Sequence, residues 1–307
     1  MIKKNSKIFV AGHNGLVGSA IVRKLKEKGY NNILIAEKKK LDLRDQKKTF
    51  LFLKKNKPKF IFICAAKVGG ILANNTFRGE FIYDNLQIEN NLINGAYLNG
   101  IKKLIFLGSS CVYPRNCKQP IKEKYLLNGV LEKTNEAYAI AKIAGIKLCE
   151  NYNFQYGTSY LCLMPTNTYG PNDNYDLETS HFIPALIRKV QEIKKKKTGN
   201  LVIWGNGLAK REIIYVDDLA DACIYFMNKK VNHSLINIGT GIDYSIKYYA
   251  KKILKILKVN TKIIYDKKKP IGTPRKVLNI AIAKRYGWKA MTSLEDGIRK
   301  TYIALEK

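Results

Sequence analysis

No apolar run in the chain approaches the ~18 to 20 residues that a membrane-spanning helix needs, so no membrane partner is expected. The N-terminal MIKKNSKIFVAG passes from lysines directly into a strand and a glycine turn without a cleavage site, which makes a cytoplasmic location the expectation. Six cysteines, at 64, 111, 117, 149, 162 and 223, include no C-x-x-C pair, and most lie within apolar segments where a thiol serves as a small hydrophobe. That spacing suits neither a disulfide framework nor a zinc site, and no metal is expected. Acidic residues are scarce: 24 Asp and Glu against 55 Lys and Arg leave a formal net charge of +31. Such an excess suits anionic partners, yet the chain has no aromatic RNP strand and no Cys/His finger. The lysines gather in runs such as KKNK, EKKKL, IKKKKTGN and YDKKKP, which read as solvated turns and helix faces with some pull towards anionic substrates. Nucleic acid is not an expected partner.

At 307 residues and 46% hydrophobic content, the chain is long enough for two lobes. Short apolar strands alternate with helical stretches through the first half, the pattern of a parallel sheet wound on both faces. KIFVAG (7–12) leads to a helix ending near 28, and NILIA (32–36) and KFIFICAA (59–66) follow as strands. A helix over 79–99, strand KLIFLGSS (103–110), helix 136–156 and strand TSYLCLM (158–164) complete this part. Beyond it the order loosens: a helix around 181–197, the short strand LVIWG, a strand and helix in REIIYVDDLADACIYFM, the segment INIGTG, then helices and a short strand. The expected architecture is α/β, a doubly wound parallel sheet over 1–168 that also receives about 212–242, with a smaller α/β C-terminal lobe built from 169–211 and 243–307. The cleft between them is the default ligand site.

Three patterns carry chemistry. Directly after the first strand, GHNGLVG places Gly12, Gly15 and Gly18 where a chain must turn tightly, approach a pyrophosphate and aim a helix N-terminus at it. After the second strand, AEKKK offers Glu37 for the ribose diol of NAD and Lys38, Lys39 and Lys40 for the 2′-phosphate of NADP. These residues leave both cofactors open while leaning to NADP(H). In YAIAK, Tyr138 and Lys142 stand four apart on one helix face, where the lysine's charge is expected to lower the phenol's pKa and the ammonium to hold a nicotinamide ribose. Ser109, at the end of the preceding strand, is placed to hydrogen-bond the same carbonyl oxygen as Tyr138.

Longer strings narrow the reading. AAKVGGI (65–71), NNT (74–76), FIYDN (81–85), LGSSCVYP (107–114), KQPIKE (118–123), EAYAIAKIAGIKLCE (136–150), MPTNTYGPNDN (164–174), SHFIPALIR (180–188) and the late DGIRKTY resemble the GDP-L-fucose synthase family of extended short-chain dehydrogenases/reductases. The resemblance runs over nearly the whole chain. It implies a Rossmann-type fold and NADPH-dependent conversion of GDP-4-keto-6-deoxy-D-mannose to GDP-L-fucose, by epimerisation at C3 and C5 followed by reduction at C4. Ser109, Tyr138 and Lys142 match the family's reductase triad, Cys111 its epimerisation base and His181 its epimerisation acid. Cys111 lies two residues beyond Ser109, and on an extended chain the two would face the same side.

The cofactor contacts implied are Gly12, His13, Asn14, Gly15, Leu16, Val17 and Gly18 in the glycine turn and Lys38 after the second strand. Leu107, Gly108, Lys142, Pro165, Asn167 and His181 complete them. Lys189, Trp204, Arg211 and Arg275 fall where the family grips the GDP-linked keto-deoxy sugar, a role that suits cations on a diphosphate and an indole on a base. A homodimer paired through 79–99 and 136–156 is implied as well. His233 is expected at the surface. Three positions depart from the family pattern: Asn14 and Lys38 where arginine is usual, both near the expected 2′-phosphate, and Ile271 in place of a substrate-binding aspartate. Ile271 keeps a second substrate in view, another GDP-4-keto sugar of the colitose or deoxyheptose type.

Overall fold

A computed structural model of the chain describes residues 2–269 and 272–306. The departure at Ile271 lies outside the described residues. The parallel sheet is assembled from β1 (Ile8–Ala11), β2 (Ile33–Leu34), β3 (Phe60–Ile63), β4 (Lys103–Leu107) and β5 (Ser159–Pro165). Then β6 (Asn167–Tyr169), β7 (Leu201–Trp204) and β8 (Lys210–Tyr215) leave it, and β9 (Leu235–Ile238) returns as its last strand. The order across the sheet is β2-β1-β3-β4-β5-β9, every neighbouring pair parallel. Strand order reverses between β1 and β3, and a ligand crevice in such a sheet opens at the strands' C-terminal ends beside that reversal.

Alternation along the strands decides which face each residue serves. Ile8 and Val10, with Phe62, Ile105, Leu161 and Ile236, pack beneath α1 (Leu16–Glu27) and α7 (Val216–Asn228). Phe9 and Ala11, with Ile61, Phe106, Cys162 and Met164, pack beneath α2 (Gln46–Asn56), α4 (Arg78–Leu98) and α5 (Glu136–Tyr156) on the other face. A short α3 (Ile71–Thr76) precedes α4.

The smaller assembly holds a four-stranded sheet in which β8 lies between β10 (Asp243–Ser245) and β12 (Arg275–Lys276) and also pairs with β6. β7 pairs in parallel with β11 (Ile263–Asp266). Its core gathers under α6 (Phe182–Lys196), α8 (Ile246–Leu257) and α10 (Leu294–Glu306). Two placements differ from the sequence reading. The C-terminal stretch contains three strands where one was expected, because β10, β11 and β12 each find a partner contributed by an earlier segment. And α9 (Ala281–Arg285), with Trp288, packs into the α1/α7 face of the large sheet, although expected with the smaller lobe. Among the described residues no helix is long and apolar enough to cross a membrane.

Candidate active site

The chain leaves β4 at Leu107 and does not stay extended. Ser109 caps a single 3-10 turn, Ser110–Val112, with its Oγ accepting the Cys111 backbone N–H at 3.2 Å. The expectation of a pleated Ser109–Cys111 pair is therefore corrected: a tight turn, not strand alternation, brings them together. Ser110 is buried and Ser109 only partly so, which separates two serines that look alike in sequence. The turn is moored by Tyr113, whose hydroxyl donates to Asn237 Oδ1 at 2.5 Å.

Tyr138 lies near the start of α5 and hydrogen-bonds Ser109. Burial first, then the charges of Cys111 and Glu89, push its phenol well above the usual tyrosine value, opposed only by the Ser109 bond. The sequence reading had Lys142 lowering that value. The structure corrects it, because the Lys142 ammonium stands 2.8 Å from Glu89 of α4 and its charge is countered there. Tyr138 is thus a proton donor at neutral pH.

Lys276, on β12, was not singled out in the sequence. Its Nζ reaches the Cys111 Sγ at 3.6 Å, a contact that suits an anionic sulfur. The same ammonium acts on His181, which precedes α6 in extended conformation. His181 is exposed as a residue, yet the protein packed around it disfavours the imidazolium, and Lys276 adds to this, so its pKa falls below the usual histidine value. Arg211, on β8, feels Cys111 and Glu132 electrostatically and donates to the Lys210 carbonyl at 2.8 Å. Arg275 is held by Asp243 through two contacts of 2.7 and 3.0 Å.

A small hollow beside Cys111 is lined by Tyr113, Arg115, Glu132, Arg275 and Lys276. Arg115 and Glu132, an ion pair at 3.2 Å, also line an open cleft of about 720 Å³ that continues to Asn206, Leu208 and Pro274. Lys189 and Trp204 form an outer group on α6 and β7: the Lys189 ammonium donates to the Val202 carbonyl at 3.0 Å, and Lys269 stands 5.5 Å over the Trp204 ring.

At the sheet's reversal point the glycine turn has the closeness a dinucleotide requires. A Cβ on Gly12 would stand 2.6 Å from the Ala65 nitrogen, and one on Gly18 2.1 Å from the Gly12 carbonyl oxygen, so strand, turn and helix are in contact through backbone alone. His13, Asn14, Gly15, Leu16 and Val17 complete the entry to α1, whose N-terminus has no side-chain cap. Leu107 and Pro165 end β4 and β5, Gly108 follows Leu107, and Asn167 opens β6 with its amide donating to the Glu212 carbonyl at 3.1 Å. Met164 fills the space where a Gly108 Cβ would be. Glu37 and Lys38 are exposed together beyond β2. His233 is half-buried and not simply superficial, its Nδ1 2.9 Å from the Tyr286 hydroxyl.

A family model described as the NAD dependent epimerase/dehydratase family matches residues 8–239, the segment holding the glycine turn, Ser109, Tyr138 and Lys142. The chain belongs to that family. Within it, the chain is 48% identical over 302 residues to GDP-L-fucose synthase 1 of Arabidopsis thaliana, covering 98% of this chain and 94% of that protein. It is 45% identical over 305 residues to the GDP-L-fucose synthase of Escherichia coli, covering 96% and 95%. A solved GDP-L-fucose synthetase from Naegleria fowleri bound to NADP superposes with a TM-score of 0.91 at 27% identity, covering 100% of this chain and 94% of that one.

Two residues of this family member escaped the sequence reading. Lys276 had a signal, since it follows Arg275 in GTPRK, but nothing in the sequence says that β12 brings it to a thiol 165 residues away. Glu89 sits in QIENNL, where an acidic residue on a helix reads as a solvated position, and it is fully buried.

Proposed function

We propose that the protein is an NADP-dependent GDP-L-fucose synthase, epimerising GDP-4-keto-6-deoxy-D-mannose at C3 and C5 and reducing it at C4. The observation that carries this reading is the chain of contacts from Lys276 to the Cys111 sulfur, from the Cys111 backbone to Ser109, and from Ser109 to Tyr138. Cys111, as thiolate beside the Lys276 ammonium, removes the proton next to the C4 ketone. Ser109 and Tyr138 hydrogen-bond the oxygen on which the enolate charge develops. His181 returns a proton to the opposite face, its lowered pKa making it a ready donor once charged. NADPH, when bound, supplies the hydride for C4. Tyr138, held protonated by its burial, then donates its proton to the alkoxide.

Lys142 holds the cofactor's ribose, and the backbone of Gly12 to Gly18 its pyrophosphate. Asn14 and Lys38 are assigned to the 2′-phosphate side, with Leu107, Gly108, Pro165 and Asn167 along the nicotinamide half. Lys189, Trp204, Arg211 and Arg275 hold the nucleotide part of the substrate. We assign the chain to the cytoplasm and to a homodimer joined through α4 and α5, whose exposed Tyr83, Leu98, Ile140 and Phe154 are apolar surface that a partner would cover.

The test is incubation of the purified protein with GDP-4-keto-6-deoxy-D-mannose and NADPH in deuterated water. GDP-L-fucose carrying deuterium at C3 and C5, with NADPH oxidised, is the expected result. No oxidation and no GDP-L-fucose would overturn the reading, and faster turnover of another GDP-4-keto sugar in a parallel panel would replace its substrate. Light scattering at micromolar concentration should return the mass of a dimer.

A further inference from the structure

We propose that Glu89 is a positioning residue for the reduction, keeping Lys142 charged and fixed between α4 and α5. The inference rests on the reading above of Lys142 as the residue that holds the cofactor's ribose. The two side chains are 1% and 2% exposed, and their closest atoms are 2.8 Å apart. Neither carboxylate oxygen has a hydrogen-bond partner of good geometry among the described residues, so the Lys142 ammonium at 2.8 Å is the charge that answers this buried carboxylate. Its housing is specific. A Cβ on Gly145 of α5 would stand 2.7 Å from Glu89 Oε2 and 2.6 Å from Phe106 Cζ, and only glycine leaves room there for the carboxylate. The ammonium lies 4.6 Å from the Phe106 ring centroid and 5.9 Å from that of Tyr138.

Physical chemistry makes this arrangement costly as a mere structural device. A buried ion pair is often no more stabilising than apolar residues of the same volume, whereas one charge left alone is strongly unfavourable. The pair therefore points to a need for a cation at Lys142. Without a counter-charge, burial favours the neutral amine. A neutral Lys142 donates more weakly to a ribose. Burial pushes the Glu89 carboxyl upward and Lys142 holds it down, as expected when each charge depends on the other.

NADPH affinity, read by fluorescence across about pH 6.5 to 9, tests this without the sugar substrate. E89Q removes the charge at equal size and leaves the buried Lys142 ammonium without its counter-charge, a state that burial disfavours and that higher pH disfavours further. The expected result is a loss of affinity of about twofold near pH 6.5 that grows to about tenfold or more near pH 9, beyond any trend in the parent protein. NADPH oxidation should fall in parallel, while ring-deuterium exchange through Cys111 changes far less. A folded E89Q that binds NADPH like the parent at every pH overturns the proposal and leaves the pair a structural contact. Where E89Q does not fold, E89D carries the test. Its charge is kept but its reach is shortened, a smaller loss of the same pH dependence is expected, and parent-like binding overturns the proposal. A parent protein that binds NADPH yet leaves GDP-4-keto-6-deoxy-D-mannose unchanged overturns the substrate reading and not the role of Glu89. One that binds no NADPH overturns both.

Discussion

Lys142 meets Glu89 between two helices of 21 residues each, with both side chains sealed from water, whereas Arg275, on a two-residue strand, meets Asp243 with its own side chain 48% exposed. Both are ion pairs beside the same site, and they differ in what surrounds them. The first is packed against the sheet at Phe106, so its geometry is as fixed as the core. The second lies at the rim, where solvent screens it and a diphosphate can compete for the arginine. The division extends to the site as a whole. Tyr138 and Lys142 stand on one core helix, while Cys111, Lys276, His181, Arg211 and Arg275 come from a turn, short strands and a helix terminus of separate segments. Chemistry that needs one exact distance sits in the core, and the groups that admit and release a ligand sit on loops and edges.

The comparison can be broken most severely on the Cys111 side. C111S should lower deuterium incorporation at C3 and C5 by about 10²- to 10⁴-fold, the range for losing a positioned base, while NADPH affinity remains that of the parent. Deuterium incorporation at the parent's rate would remove Cys111 from the mechanism. On the core side, the proton-donor role proposed for the phenol predicts that Y138F slows NADPH oxidation by about 10²-fold or more, with a smaller effect on exchange. Mass spectrometry of the exchanged sugar alongside absorbance at the NADPH band separates the two effects. K276M should reduce exchange by about tenfold through loss of the cation at the sulfur, and an unchanged rate would show the 3.6 Å contact to be idle.

A smaller effect concerns stability. Glu212, fully buried beside Arg211, accepts backbone N–H groups from Gly241 at 2.6 Å and Leu278 at 2.7 Å, tying β8 to the segments on either side of it. Burial nevertheless raises its carboxyl to about 7 from 4.5. The folded protein therefore holds this proton to higher pH than the unfolded chain. Its contribution to stability is full below the unfolded value, about 4.5, and declines as pH rises through about 7. E212Q should lower the denaturation midpoint by the equivalent of about 1 to 3 kcal/mol and flatten that decline, so that the gap between parent and variant narrows between about pH 5 and 8. Denaturant titrations at several pH values would check it, and a gap that does not vary with pH would contradict the assignment. The smallest change is expected at the rim. D243A should cost less than about 1 kcal/mol in stability, and its consequence should appear in the affinity for the GDP-sugar.

Much of the large sheet was legible in advance. The apolar runs around Ile8, Phe60, Lys103 and Ser159 and the helices at Arg78 and Glu136 follow from local periodicity, which survives folding because each segment packs with its own period. The C-terminal stretch was less so: β12 is two residues long and exists only because it lies beside β8. Residue types alone could not reveal that Glu89 is buried, since an acidic residue on a helix is usually solvated and only packing against Gly145 and Phe106 makes this one an internal counter-charge.

The chain's sequence by itself determined the strand–glycine–helix entry and the Tyr138 and Lys142 face of α5, because each is a matter of residue type at short spacing; the candidate role of Cys111 came only with the family resemblance of the string around it. Tertiary structure alone decided that Cys111 meets Ser109 through a 3-10 turn, that Lys276 arrives at its sulfur, and that Lys142 spends its charge on Glu89. Those are contacts between segments far apart in the chain. Their electrostatics depend on burial, and burial is a property of the packed molecule, not of any short stretch of it.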